Sequence, residues 1–191
     1  MSSDEIIQAA NLLHKYDIYF STGNMLGIPG ETWETLRKTV EINRKCAPHY
    51  AWASLFQPFP KLALTEYAMA NGYFDGNFEN IGDDQFTDTP LELSDKKKII
   101  RFHKLFALLV RYPFLNPLVN IMVNLPFDRF YNWLFKSYKI RFNNPIINAN
   151  KRELKAQSAE SFIKMVGYFL KDTLAHLINM INKKIKPTTS C

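Results

Sequence analysis

From Asp4 to Tyr16 the apolar positions Ile6, Ala9, Ala10 and Leu13 recur at helical spacing, with Ser3 ahead of them as an N-cap. The rhythm then changes. Residues 17–27, DIYFSTGNMLG, set Ile18, Tyr19, Phe20 and Thr22 in a near-continuous run of strand formers, as expected of a buried parallel strand. IPGET turns the chain, and Thr32 caps a helix over 33–45 whose apolar positions are Trp33, Leu36, Val40 and Ile42. Thr35 stands three residues after Thr32, where a full capping box has Glu or Gln. Pro48 stops that helix, and HYAWASLFQPF over 49–59 alternates as a second, aromatic strand. Helix, strand, loop, helix, strand is a βαβ arrangement. It implies a parallel sheet with a right-handed crossover.

Two strands do not make a stable parallel sheet, and the rest of the chain supplies no further strand pattern. Residues 61–73 read as a short helix ending at Gly72, and residues 74–95 as a polar, acidic loop. Ser94 or Asp95 then caps a helix with a broad apolar face: Ile99, Ile100, Phe102, Leu105, Phe106, Leu108 and Leu109. Pro113 and Pro117 break the chain. A further helix starts with Pro126 near its first turn and carries the stripe Phe127, Phe130, Tyr131, Trp133, Leu134 and Tyr138. NNPIINANKR follows as a loop, and a last amphipathic helix is predicted over 153–185. The expected organisation is α/β: two βα units with parallel strands in residues 1–75, an acidic linker over 76–95, and a basic, mainly helical extension over 96–191. No internal repeat is visible.

Composition adds one asymmetry. Residues 1–95 hold 6 Lys/Arg against 14 Asp/Glu, a net charge of −8; residues 96–191 hold 18 against 4, a net charge of +14. The basic half could face an anionic membrane, nucleic acid or the acidic half itself. It carries no nucleic-acid motif, so a nucleic-acid partner is not expected. PFLNPLVNIMVNLPFDRFYNWLFKSYKIR mixes apolar, aromatic and basic residues as interfacial segments do, which makes a membrane surface a better candidate than nucleic acid; the alternative is that the segment covers the open side of a barrel or packs against an absent domain. No apolar run approaches the ~18 residues of a membrane span, and the acidic N-terminus does not resemble a signal peptide. The chain therefore reads as cytoplasmic, peripheral to a membrane at most. Cys46 and Cys191 lie 145 positions apart and form no disulfide framework or metal-ligand spacing; Cys46 reads as a small buried residue. His14, His49, His103 and His176 are scattered and read as structural or solvated. Glu79, Asp83 and Asp84 read as a solvated acidic loop rather than a cation site.

The chemistry concentrates in GNMLGIPGET, residues 23–32. The glycines follow a parallel strand and precede a helix, so they lie at the C-terminal end of the sheet, where open sheets and barrels bind ligands. Glycine admits positive φ and close approach of a ligand, and the helix N-terminus adds unpaired N–H groups. The spacing is neither a phosphate loop nor GxGxxG. An adenine, a ribose or a carboxylate would suit it; a tight βα turn with no ligand is the alternative.

Gly23-x-Met25-x-Gly27-Ile28-Pro29-Gly30-Glu31-Thr32, a helix, and then a strand ending QPFPKLALTEYA…NGYF resemble the fifth- and sixth-strand segments of radical S-adenosylmethionine enzymes. The cobalamin-binding subclass is the most similar. The second segment departs at Lys61-Leu62-Ala63, where Gly-Thr is usual. The resemblance covers about residues 1–75. It implies a partial (β/α) barrel, a four-iron, four-sulfur cluster, cobalamin, and S-adenosylmethionine cleaved reductively to a 5′-deoxyadenosyl radical. Carried over, Gly23, Met25 and Gly27 would lie beside the nucleoside. Gly30 and Glu31 would shape the loop, and Gln57 and Pro58 would approach the adenine or ribose.

Such a cluster is held by three thiolates in CxxxCxxC, a motif these two cysteines cannot form. A helix is under way by Asp4, so Met1 reads as an internal methionine of a longer protein. The chain is then expected to be a C-terminal fragment, inactive alone, whose N-terminal barrel and cobalamin-binding half is supplied in cis or in trans. The alternative is a stand-alone helical interaction or membrane-surface protein with a vestigial βαβ start.

Overall fold

The computed structural model of the chain describes residues 1–82 and 84–148, and Gly167 beyond them. Helix α1 (Ser3–Lys15) is opened by Ser2, not Ser3. The Ser2 hydroxyl accepts from the Glu5 amide and the Glu5 carboxylate accepts from the Ser2 amide, a reciprocal cap that one residue's shift would break. The strand expected from Asp17 starts only at Ser21: β1 spans Ser21–Leu26. Asp17 takes a left-handed φ of 55°, and the Ile18 amide donates to Leu13 O at 2.9 Å. Closing α1 thus consumes Ile18, the first of the residues whose side chains favour a strand. Nor is β1 buried throughout: Ser21, Gly23 and Met25 are exposed, and only Leu26 is fully covered.

Helix α2 (Trp33–Cys46) buries Leu36 and Val40 as expected, leaves Trp33 and Ile42 half-buried, and adds Asn43 and Cys46 to the core. Its N-terminus corrects the expectation of an incomplete cap. The Thr35 hydroxyl accepts from the Thr32 amide at 2.9 Å while Thr32 Oγ1 accepts from the Thr35 amide at 3.2 Å, so the shorter side chain closes the box. Strand β2 (Tyr50–Leu55) pairs parallel to β1 with Ser21 opposite Tyr50 and Leu26 opposite Leu55. Among the described residues the sheet has these two strands, and the outer edge of β1 has no backbone partner strand. The polar bridge beneath the sheet is Asn43. It exchanges amide hydrogen bonds with Asn24 at 2.7 and 3.2 Å and accepts from the Thr22 hydroxyl at 2.6 Å. Asn24 also donates to Trp52 O, which ties α2 to both strands.

Helix α3 (Ala63–Ala70) follows, then the acidic segment. That segment is not simply solvated. Leu91 and Thr89 are buried, and Leu91 packs with Phe56, Ala68 and Phe74, with Leu93 at the rim. The Thr89 hydroxyl donates to Phe56 O at 2.6 Å, and the Leu55 amide donates to Gln85 O at 2.8 Å. The chain here folds over the C-terminal end of the sheet. The reason is visible in three apolar or β-branched residues, Thr89, Leu91 and Leu93, set among the acids.

Helix α4 (Lys96–Arg111) is the central element. It contacts β2, α2, α5 and α6, and it buries Ile99, Phe102, Leu105, Phe106, Leu108 and Leu109. Ile100 is only half-buried, while Arg101, His103 and Lys104 are covered as well. Asp95 does not cap its backbone. The carboxylate instead accepts from Trp33 Nε1 at 3.2 Å and pairs with Lys98. After a 3-10 turn (Pro113–Leu118) comes the short α5 (Val119–Asn124), which the prolines had hidden from the sequence pattern. Helix α6 spans Asp128–Asn148 and so runs through most of the loop expected over 143–152; Pro145 removes one backbone donor without ending it. Of its stripe, Tyr131, Leu134 and Tyr138 are buried, whereas Phe127 and Phe130 are exposed. The described residues to Asn148 belong to one compact unit, Met1–Ala156, so the boundaries expected near residues 75 and 95 fall inside it. Apart from Gly167, the last expected helix lies outside the described residues, as do His176 and Cys191. The architecture is mixed α/β, with two parallel strands and six α-helices among the described residues.

Candidate functional site

The loop from β1 to α2 turns on two left-handed glycines, Gly27 at φ 74° and Gly30 at φ 81°. Side chains there would be strained. Between them the Glu31 carboxylate folds back, and its Oε2 accepts from the Gly27 amide at 2.6 Å; the Glu31 amide donates to Ile28 O at 2.9 Å. The loop is therefore closed by its own acid. Burial of Glu31 raises its pKa above the ordinary carboxylate value of 4.5, and the hydrogen bonds from Gly27 and Ile28 oppose that rise.

This raised pKa has a measurable consequence. The folded protein holds the Glu31 proton more tightly than the unfolded chain does, so the stabilisation is complete below the ordinary carboxylate pKa. It is lost as pH rises through the raised folded value. Thermal unfolding of the wild type and of Glu31→Gln should therefore show a wild-type advantage that shrinks from about pH 4 to neutrality. A difference that stays flat would show that the carboxylate is solvated.

The structure brings five of the seven expected site residues to one end of the sheet. The Phe56 amide continues the ladder onto Leu26 O at 2.9 Å, which places Gln57 and Pro58 at the same end of the sheet as the Gly27–Glu31 loop. Gly23 and Met25 lie farther back. Strand alternation puts them on the face away from Asn24 and Asn43, with Gly23 about 13 Å from Gly27 along the strand. The glycines differ in what surrounds them. A Cβ on Gly23 would meet Trp52 Cζ2 at 2.8 Å, so this glycine makes room for the indole of its cross-strand neighbour. A Cβ on Gly27 would touch the buried Ile99 and Leu55 and the half-buried Leu93. Gly30 is exposed and open, with only the Tyr67 hydroxyl nearby at 3.8 Å.

Gln57 is 5% exposed. Its Nε2 donates to Asp88 O at 2.7 Å, whereas its Oε1 is buried with no partner among the described residues. A buried acceptor left in this way lacks the hydrogen bond such groups nearly always have. The exocyclic amine of a nucleoside base is one donor that could supply it. The backbone at Lys61 is left-handed, φ 67°, a conformation relaxed for glycine and uncommon for lysine. A cluster does not fit this chain's own donors. Cys46 is buried, with its thiol pKa pushed up by that burial. Among the described residues no three His, Cys, Asp or Glu side chains are grouped to hold a metal ion.

The described histidines all reach the backbone. His14 Nε2 pairs with Cys46 O at 2.9 Å, His49 Nδ1 accepts from the Phe20 amide, and His103 Nε2 pairs with Ala53 O at 2.8 Å. Burial and the neighbouring His14 keep the His49 pKa below the usual histidine value. Sequence reasoning missed a cavity of about 250 Å³ beside β2, lined by Tyr50, Trp52, Phe86, Lys104, Phe135 and Tyr138 among others. Only contacts between α4, α6 and the sheet create it. Burial lowers the Lys104 pKa there. Among the described residues no helix is long and apolar enough to cross a membrane. Comparison with protein-family models, with curated proteins and with solved structures finds no match.

Proposed function

We propose that this chain is the C-terminal portion of a radical S-adenosylmethionine iron–sulfur enzyme of the cobalamin-dependent kind, and that its two βα units are the late part of a (β/α) barrel. In this reading the segment 23–31, with Gln57 and Pro58, forms part of the wall around the adenosyl group. Two features at the C-terminal end of the parallel sheet carry it: the open Gly30 turn after β1 and the unpartnered Gln57 Oε1 after β2.

The chain's own residues bind and orient. Gln57 Oε1 accepts from a base amine, Gly30 lets the ligand approach the backbone, and Glu31 fixes the loop by holding the Gly27 amide. When bound, the cofactor supplies reductive cleavage to a carbon radical. The thiolates for the cluster come from an N-terminal half, in cis or in trans, whose last strand pairs with the outer edge of β1. Without that half the chain does not turn over. The cytoplasm suits both such a cluster and the free Cys46 thiol.

One observation favours a second reading, a helical interaction protein whose βαβ start binds nothing. Gly23 and Gly27 are each explained by packing, the first under Trp52 and the second under Leu93 and Ile99. Titration with S-adenosylmethionine, followed at the amides of 23–31 and the Gln57 carboxamide, separates the two. The first reading expects shifts confined to those groups, and the second expects none.

A further inference from the structure

The stretch 113–127, PFLNPLVNIMVNLPF, contains no charged residue. Leu115, Val119 and Val123 turn into the core. Leu118, Ile121 and Leu125, spaced by three and four, stay outside, and Phe127 and Phe130 extend the same exposed run; Ile121 is 62% and Phe127 56% exposed. Such a concentration of large apolar side chains on a surface marks an interaction site.

The same segment forms one wall of a groove of about 610 Å³, through Pro113, Asn116 and Val119. Arg37, Arg44 and Lys45 of α2 line it as well, together with Arg111 of α4. Glu41 lines it too, held by Lys45 at 2.9 Å. Arg37 donates to Asn120 Oδ1 at 2.5 Å, which ties a guanidinium of α2 to α5. The first acid after the stripe, Asp128, is taken by Arg101, with Nε and Nη2 on its two oxygens at 2.7 and 3.2 Å.

We propose that this face docks on an anionic bilayer surface. An acidic phospholipid headgroup sits in the groove against Arg37 and Arg44, and Leu118, Ile121, Leu125 and Phe127 enter the boundary between headgroups and acyl chains. Charge complementarity chooses this occupant. An uncharged apolar stripe with cations along its flank matches the layered polarity of an acidic membrane surface. A second copy would instead bring the same cations together across a two-fold interface, where like charges oppose association. The contact is peripheral and does not depend on what the glycine loop binds.

Flotation of the full chain with vesicles tests this, using phosphatidylcholine alone and phosphatidylcholine mixed with phosphatidylglycerol. Binding is expected on the mixed vesicles, to weaken with added salt, and to be slight on phosphatidylcholine. Leu118→Asp with Ile121→Asp should lower the partition coefficient roughly tenfold or more. Arg37→Gln with Arg44→Gln should lower it about fivefold for each charge removed. All four side chains are exposed, so circular dichroism and Tm should match the wild type. Unchanged binding by both variants would place the contact on the basic segment beyond residue 148 and overturn the proposal. So would a soluble dimer dissociated by Ile121→Asp with no vesicle binding. Binding of inorganic phosphate in the groove without vesicle binding would reduce the site to one for free anions, and would overturn it equally.

Discussion

Phe102→Ala is expected to destabilise the protein by about 3–5 kcal/mol and to do so in a single transition that carries β1 and β2 with it. Phe102 is buried on α4 and meets the Trp33 ring of α2 edge-on, with centroids 5.9 Å apart. Truncation removes a whole ring from that junction and leaves a cavity. The loss is a large part of the ~5–15 kcal/mol that holds a typical domain together. The informative part is where the loss appears. If residues before 75 and after 95 fold as one unit, urea unfolding followed by tryptophan fluorescence and hydrogen exchange at the β1 and β2 amides should move together. If the helical part were a separate domain, strand protection would survive the substitution.

The second large effect is expected at Asn43. Its carboxamide accepts from Thr22 and Asn24, donates back to Asn24, and donates to Thr39 O. Asn43→Ala leaves the Asn24 oxygen and the Thr22 hydroxyl without this partner beneath the sheet. Thr22 and Asn24 are half-buried, so each loss falls at the low end of the ~1–3 kcal/mol for a buried group left unsatisfied, and the total should be roughly 2 kcal/mol. Asn43→Asp, nearly isosteric, should also destabilise, because it sets an acceptor against Asn24 Oδ1. The Asn24→Ala and Asn43→Ala effects should not add, since each removes the same pair of bonds. Additive effects in denaturant titrations would mean that the network is not coupled.

Much of the fold follows from local rules that act over a few residues. The helix after Thr32, the apolar face of α4 and the stop at Pro48 each rest on such a rule, and the structure keeps them. One miss is local: Ile18 favours a strand, yet closing α1 takes it. The others arise where a distant partner decides. Thr89 and Leu91 look like members of a polar loop until Phe56 and Phe74 are beside them. Asn43 sits among apolar positions of α2, and only the register of β1 against the helix turns it into a buried bridge. The candidate site divides in the same way. The turn at Gly27 and Gly30 is legible because positive φ is a property of the residue itself. The role of Gly23 depends on the cross-strand neighbour Trp52, and the unpartnered oxygen of Gln57 depends on how Asp88 folds over β2.

An amide NMR titration of the full chain with S-adenosylmethionine puts the nucleoside site itself to the test. Shifts are expected at the backbone amides of residues 23–31 and at the Gln57 side-chain amide, with weaker shifts in a Gln57→Leu variant. No change at those groups up to the solubility limit of the ligand, or changes confined to the basic helices, would mean that this loop is not a cofactor wall.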